Sequence, residues 1–267
     1  MNWGGDMALL QCSFKSEVLE MEQPLHVILP QIKMLEEERR EQIKKNGFPV
    51  LYLLHGLSDD NTVWTRMTSI ERYALQHGIA VVMPNVNRSF YADMKYGLKY
   101  YTYVSEEIPY IASTYFPISG RREDSFIAGL SMGGYGAFMI ALRNPEKFCA
   151  AASLSGALDL TSTLFSHGND LFNSLVKPVF GSKEEYLPTD YNLLSLIEKL
   201  TKQNIELPRL FQCCGTEDFL YEANQKFKAA AEKYGLDLTY EEGPGSHEWG
   251  YWDRNIQRVL EWMLKDR

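Results

Sequence analysis

The chain has no run of apolar residues approaching the ~20 needed to cross a membrane. Its first seven residues, Met1 to Met7, lack the basic patch followed by an apolar stretch that marks an export signal. These absences give the expectation of a cytoplasmic protein with no membrane partner. Met7 is an alternative start, with residues 1 to 6 then expected to be disordered. Positive charge is in short supply: Lys and Arg total 27 against 35 Asp and Glu, a net charge of -8. Nucleic acid or an anionic lipid surface would need a basic face, so neither is expected as a partner. Cysteine is sparse as well. Cys12, Cys149, Cys213 and Cys214 show no metal-ligand spacing, and three of them lie in apolar, strand-like runs. Buried free thiols in a reducing compartment, with no metal, are the expectation. There is no internal repeat and no linker: 11 prolines and 19 glycines are scattered, so the 267 residues read as one domain.

What is present is an ordinary globular composition, 45% hydrophobic and 23% charged, sufficient for a large core. Cys12 to Glu20 and Leu25 to Ile32 read as two strands of an edge hairpin turning at Glu22-Gln23-Pro24. Lys33 to Gly47 interleaves charges of both signs and reads as a solvated loop or short exposed helix. Pro49 to Leu54 is apolar throughout and too short for a helix, which predicts a central strand. Further strands are predicted at Ile79 to Met83, before Gly129, at Cys149 to Leu154, at Leu207 to Cys214 and at Asp237 to Glu241. Helices are predicted around Met67 to Gln76, from Tyr100 to Thr114 with a kink at Pro109, and after Ser131. Two more carry apolar stripes, Phe219, Ala223, Phe227, Ala230, Tyr234 and then Trp249, Trp252, Ile256, Val259, Leu260, Met263. Alternation of strands and helices predicts an α/β fold, a mostly parallel central sheet with helices on both faces. The sheet-edge strands near the N-terminus leave association into a homo-oligomer open. Between Gly156 and Pro208 no strand is legible, yet the segment is too apolar for disorder, so residues 160–205 are expected to form a small helical cap.

The chemistry centres on Gly129-Leu-Ser131-Met-Gly133-Gly-Tyr-Gly136. An apolar strand stops at the first glycine and helix formers begin past the serine, so Ser131 sits on a tight strand-to-helix turn, a nucleophile elbow. The glycines let the backbones close, and the helix N-terminus aims its amides and positive dipole end at the same spot. Chance alone would place G-x-S-x-G in very roughly one chain of this length in ten; the strand before and helix after add what the pattern lacks. A serine hydroxyl needs a base, and the base an acid. Of His26, His55, His77, His167 and His247, the last follows a strand in the glycine-rich loop Gly243-Pro-Gly-Ser-His247 and can reach back over the sheet end. Asp218, in Cys214-Gly-Thr-Glu-Asp218, follows a buried strand in the same manner, with Glu217 as the rival acid. The order Ser131, Asp218, His247 is that of an α/β-hydrolase. An oxyanion hole would take the amides of Met132, after the nucleophile, and Leu57, in the loop His55-Gly56-Leu57 after the central strand, with His55 shaping that loop.

Four motifs in this order, His55-Gly-Leu-Ser-Asp-Asp-Asn-x-x-Trp64, Gly129-Leu-Ser-Met-Gly-Gly-Tyr-Gly136, Cys214-Gly-x-x-Asp218 and His247-x-Trp-x-x-Trp252, resemble the esterase D family of α/β-hydrolases, and within it the bacterial tributyrin esterases. The resemblance covers nearly the whole chain from about Ser13. It implies a carboxylesterase of short acyl chains with Ser131, Asp218 and His247 as triad and no metal or organic cofactor. Substrates would be small-molecule or carbohydrate acyl esters, with Gly56 in the substrate pocket and Trp64 either lining it or in the core. S-formylglutathione hydrolases, feruloyl esterases and mycolyl transferases are related, so thioester hydrolysis and acyl transfer are the alternatives. The S-formylglutathione branch carries a threonine-cysteine pair after the oxyanion glycine, where this chain has Leu57-Ser58-Asp59-Asp60, which lowers the thioesterase reading.

Overall fold

A computed structural model of the chain describes residues 7–31, 36–165, 172–203 and 205–265. Residues 1–6 and His167 lie outside the described residues. Eight strands form one sheet: β1 (Met7–Lys15), β2 (Glu22–Pro30), β3 (Val50–Leu54), β4 (Ala80–Pro84), β5 (Ser125–Leu130), β6 (Ala150–Leu154), β7 (Arg209–Gly215) and β8 (Leu238–Gly243). Their order is β1-β2-β4-β3-β5-β6-β7-β8. β1 and β2 are antiparallel to their neighbours, and β3 through β8 run parallel to one another.

The sheet is covered on both sides, which is why its central strands read as unbroken apolar runs rather than alternating ones. Along β3, Val50, Tyr52 and Leu54 enter the core that contains Tyr135, Phe138 and Leu142 of the helix Met132–Arg143. Leu51 and Leu53 enter the opposite core, with Trp252, Ile256 and Leu260 of the helix Trp249–Met263. The apolar stripe expected on that last helix therefore faces the sheet. Among the described residues no helix is long and apolar enough to cross a membrane. All four cysteines are free thiols, and burial pushes the Cys214 thiol up to about 12.

Several local expectations shift. The hairpin turn falls at Ser16 to Met21, before the predicted Glu22-Gln23-Pro24, which belongs to β2. Its position is set from a distance: Glu107 accepts the Ser16 hydroxyl on one carboxylate oxygen and the Glu17 amide, at 2.6 Å, on the other. The charged segment forms a helix, Glu37–Asn46, with Glu37 and Glu38 in its first turn and Lys44 and Lys45 in its last, the arrangement the helix dipole favours. Pro109 lies in the first turn of the helix Ile108–Tyr115, within the helical run from Tyr100 to Tyr115. A π turn at Tyr103–Glu107 precedes it, and the Ser105 carbonyl, which an α-helical amide at 109 would have served, accepts Lys147 Nζ at 3.1 Å. Phe219 is not part of a packing stripe. The helix runs Tyr221–Tyr234, and Phe219 stands before it, 75% exposed.

Residues 160–205 include the helices Leu160–Thr163, Lys177–Phe180, Lys183–Tyr186 and Leu193–Leu200. Phe180 packs against Phe90, Tyr135 and Tyr186 at ring separations of 5.9, 6.5 and 5.2 Å, which ties this segment to the elbow helix.

Backbone meets backbone where that helix crosses β5. A Cβ at Gly129 would lie 2.5 Å from the carbonyl carbon and oxygen of Gly133. Gly129→Ala should therefore cost at least about 2 kcal/mol in urea unfolding, since the neighbour is backbone and cannot turn aside. At Gly250, in a helix and with open space where a methyl would stand, Ala should instead stabilise by roughly 0.5 kcal/mol. Equal midpoints for the two variants would refute the packing argument.

Candidate active site

Ser131 occupies the turn between β5 and its helix with φ 54° and ψ -117°, a backbone region that a residue with a Cβ enters only under constraint. The constraint is visible. Its amide donates to Leu154 O at 2.9 Å, and its carbonyl accepts the amides of Tyr135 at 3.1 Å and Ala157 at 3.2 Å. The elbow is thus tied to its own helix and to the end of β6.

Asp218 and His247 leave the sheet from adjacent strands at matched heights, because Gly215 of β7 pairs with Gly243 of β8. Close approach of the two loops demands glycine: a Cβ on Gly215 would run into the Gly245 carbonyl. Thr216 N donates to Gly243 O at 3.0 Å and Glu217 N to Gly245 O at 3.1 Å, lacing the loops together. The Asp218 side chain has no exposed surface; one oxygen accepts the Leu220 amide at 2.8 Å and the other meets His247 Nδ1 at 2.8 Å. His247 Nε2 lies 3.0 Å from Ser131 Oγ. The three residues singled out in the sequence form one hydrogen-bonded line, with the imidazole 19% exposed at its centre.

The other described histidines stand apart from it. His26 is on β2, His77 closes the helix Ile70–His77, and His55 is buried at the end of β3. Burial pulls the His55 pKa below its ordinary value. Glu217, the rival acid, instead accepts the Gly245 amide at 2.5 Å, and this bond holds its carboxyl below the usual range.

β3 lies beside β5 with Leu54 opposite Gly129, so Leu57 and Met132, each three residues further on, leave the sheet at the same level. Gly133 packs on the Leu54 carbonyl, where a Cβ would come within 2.5 Å. Neither the Leu57 nor the Met132 amide has an acceptor among the described residues. Beside Leu57 opens a groove of about 520 Å³, with Ser58, Asp59, Asn87 and Arg88 at polar positions and Leu98, Leu175, Pro178 and Val179 supplying apolar surface. The last three come from the segment predicted as a cap. Gly56 is buried at the base of the loop, where a Cβ would strike Asp59 and Leu130. Of the two readings of Trp64, the structure takes the core one: it is 1% exposed, stacks edge-on with Trp249 at 5.4 Å and donates its Nε1 to Leu54 O at 3.0 Å. It belongs to the core and braces β3 rather than lining a pocket. Sequence reading missed Phe219, whose ring lies 4.5 Å from that of His247; its apolar spacing with the following helix concealed it.

An eight-stranded, mostly parallel sheet with a strained serine at a strand-helix turn defines an α/β-hydrolase of the serine type. Residues 19–263 match the esterase family described as "Putative esterase", and the chain belongs to that family. It is 31% identical to an acetyl esterase of Caldicellulosiruptor saccharolyticus over 265 residues, 97% of this chain and 99% of that one. It is 36% identical to FphF, a fluorophosphonate-binding serine hydrolase of Staphylococcus aureus, with a TM-score of 0.87 over 98% of this chain and all of that one. S-formylglutathione hydrolase (FrmB) of the same organism is also 36% identical, with a TM-score of 0.82 over 97% and 100% of the two chains. The protein is a serine hydrolase of carboxylic esters.

The Glu217 contact is testable apart from activity. Glu217→Ala should speed hydrogen exchange of the Gly245 amide at least about tenfold, because the loop loses its clamp. In the parent, where the folded carboxyl is depressed, the clamp is present above the ordinary Glu value of about 4.3 and is lost as pH falls through the lower, folded one. Unchanged protection at Gly245 would show that the bond does not order the loop.

Proposed function

We propose that the protein is a carboxylesterase of short-chain acyl esters, acting through Ser131, His247 and Asp218 and a covalent acyl-enzyme. The observation that carries this is the unbroken line from Ser131 Oγ through the imidazole to a fully buried carboxylate. His247 Nε2 takes the hydroxyl proton as Oγ bonds to the ester carbonyl carbon, while Asp218 holds Nδ1–H and offsets the charge on the ring. The carbonyl oxygen becomes an oxyanion facing the amides of Leu57 and Met132. The carbon–oxygen bond to the alcohol then breaks and His247 returns the proton to the leaving oxygen. Water follows by the same route in reverse, releasing the acid and restoring Ser131.

The acyl preference draws on the acetyl esterase relative and on the sequence resemblance to tributyrin esterases. Small-molecule or carbohydrate esters are both compatible with the groove of polar and apolar surface beside Leu57. A second reading, thioester hydrolysis, is favoured by the FrmB likeness and opposed by Leu57-Ser58 at the threonine-cysteine position. Side-by-side rates on S-formylglutathione and p-nitrophenyl butyrate separate the two.

Ser131→Ala should lower kcat on p-nitrophenyl acetate by about 10⁶, and Asp218→Asn by about 10⁴ through loss of the correct tautomer. A Ser131→Ala protein with parental turnover would overturn the assignment. Acetyl and butyryl esters should outpace octanoyl esters; equal rates would remove the short-chain reading.

A further inference from the structure

Beyond β3 three successive carbonyls are each held by a side chain. Leu54 O accepts Trp64 Nε1 at 3.0 Å, His55 O accepts the Tyr91 hydroxyl at 2.9 Å, and Gly56 O accepts His55 Nδ1 at 2.7 Å. The last bond has a defined polarity. His55 Nε2 lies 3.0 Å from the Val86 amide, which can only donate, so Nε2 carries the lone pair and the proton sits on Nδ1. The surroundings impose one neutral tautomer, and that tautomer points a donor at Gly56 O.

The peptide between Gly56 and Leu57 is a rigid trans plane, with its C=O and N–H on opposite edges. Fixing the carbonyl therefore fixes the direction of the Leu57 N–H. A second bond to the same carbonyl, from Asp59 N at 3.3 Å, is longer and closes the turn. The loop that supplies the Val86 and Tyr91 partners is itself strained. Of six non-glycine residues with positive φ among the described ones, three lie in it: Asn87 at 52°, Phe90 at 53° and Tyr91 at 55°. Bulky aromatic residues hold such a backbone only where neighbours over-determine it. Tyr91 is fully buried and packs on Gly136 of the elbow helix, where a Cβ would collide with its ring.

We infer that His55 is a positioning residue for ester hydrolysis: its Nδ1–H holds the Gly56 carbonyl so that the Leu57 amide is aimed at the oxyanion before substrate arrives. The inference rests on the reading of Ser131, His247 and Leu57 above. The plain alternative is a core histidine whose two nitrogens are merely satisfied.

Asparagine and glutamine separate these. Asn places an amide nitrogen where Nδ1 stands, and Gln places an amide oxygen where Nε2 stands. With active sites counted by a fluorophosphonate probe, His55→Gln should lower kcat on p-nitrophenyl acetate about 10²-fold with KM within about threefold, as for a lost oxyanion donor. Affinity for a trifluoromethyl ketone, whose hemiketal oxygen occupies the same hole, should fall in parallel. His55→Asn should recover most of both losses, even if it loosens the Val86 loop and lowers Tm. Equal kcat for the two variants, or a loss of kcat with ketone affinity unchanged, would overturn the inference. Failure of the parent to react with the probe is a different result: it would sink the Ser131 assignment, and this inference with it.

Discussion

The 3.0 Å contact between Ser131 Oγ and His247 Nε2 joins residues 116 positions apart, and much of the fold can be understood as what keeps those two atoms at hydrogen-bond distance. Parallel pairing brings the ends of β3, β5, β6, β7 and β8 to one edge in register. Loops of a few residues leaving that edge must meet. The strands are buried on both faces, so a slip of register would turn apolar side chains to the wrong layer and misplace every loop at once.

Around that contact the polar groups are arranged so that no charge is buried without partners. Asp218 is the one fully buried carboxylate of the line, and the Leu220 amide and the His247 ring both serve it. Glu217, one residue earlier, is exposed and works on the backbone of the histidine loop instead. Adjacent carboxylates thus take different tasks because alternate residues of a turn face opposite ways. Backbone strain gathers at the same edge: Asn87, Phe90, Tyr91, Ser131 and Ser155 all have positive φ. Such conformations survive where hydrogen bonds on each side leave no alternative, as the backbone bonds of Ser131 and Ser155 to the ends of neighbouring strands do.

The groove beside Leu57 is built differently. It borrows Leu175, Pro178 and Val179 from the segment after β6, while the loop after β3 is braced from behind by Trp64, Tyr91 and His55. The serine, imidazole and carboxylate therefore sit at the sheet edge, while the groove beside Leu57 draws partly on the segment after β6.

Residues whose role follows from local pattern were legible in the chain. The elbow, the buried strands and the two loops bearing Asp218 and His247 each announce themselves through glycine spacing and apolar runs, because short-range sterics and burial dictate them. Trp64, Phe219 and the hairpin turn were not legible, since each is decided by a distant partner: Leu54 and Trp249 for the first, the His247 ring for the second, Glu107 for the third. The amino-acid sequence by itself determined which residue types could do acyl chemistry and where the chain would turn to present them. Tertiary structure alone decided that Trp64 would brace β3, that Phe219 would lie against the His247 ring and which way the Gly56–Leu57 peptide plane faces, because those outcomes depend on strand order and register, and pairing across a sheet leaves no trace in any one local stretch.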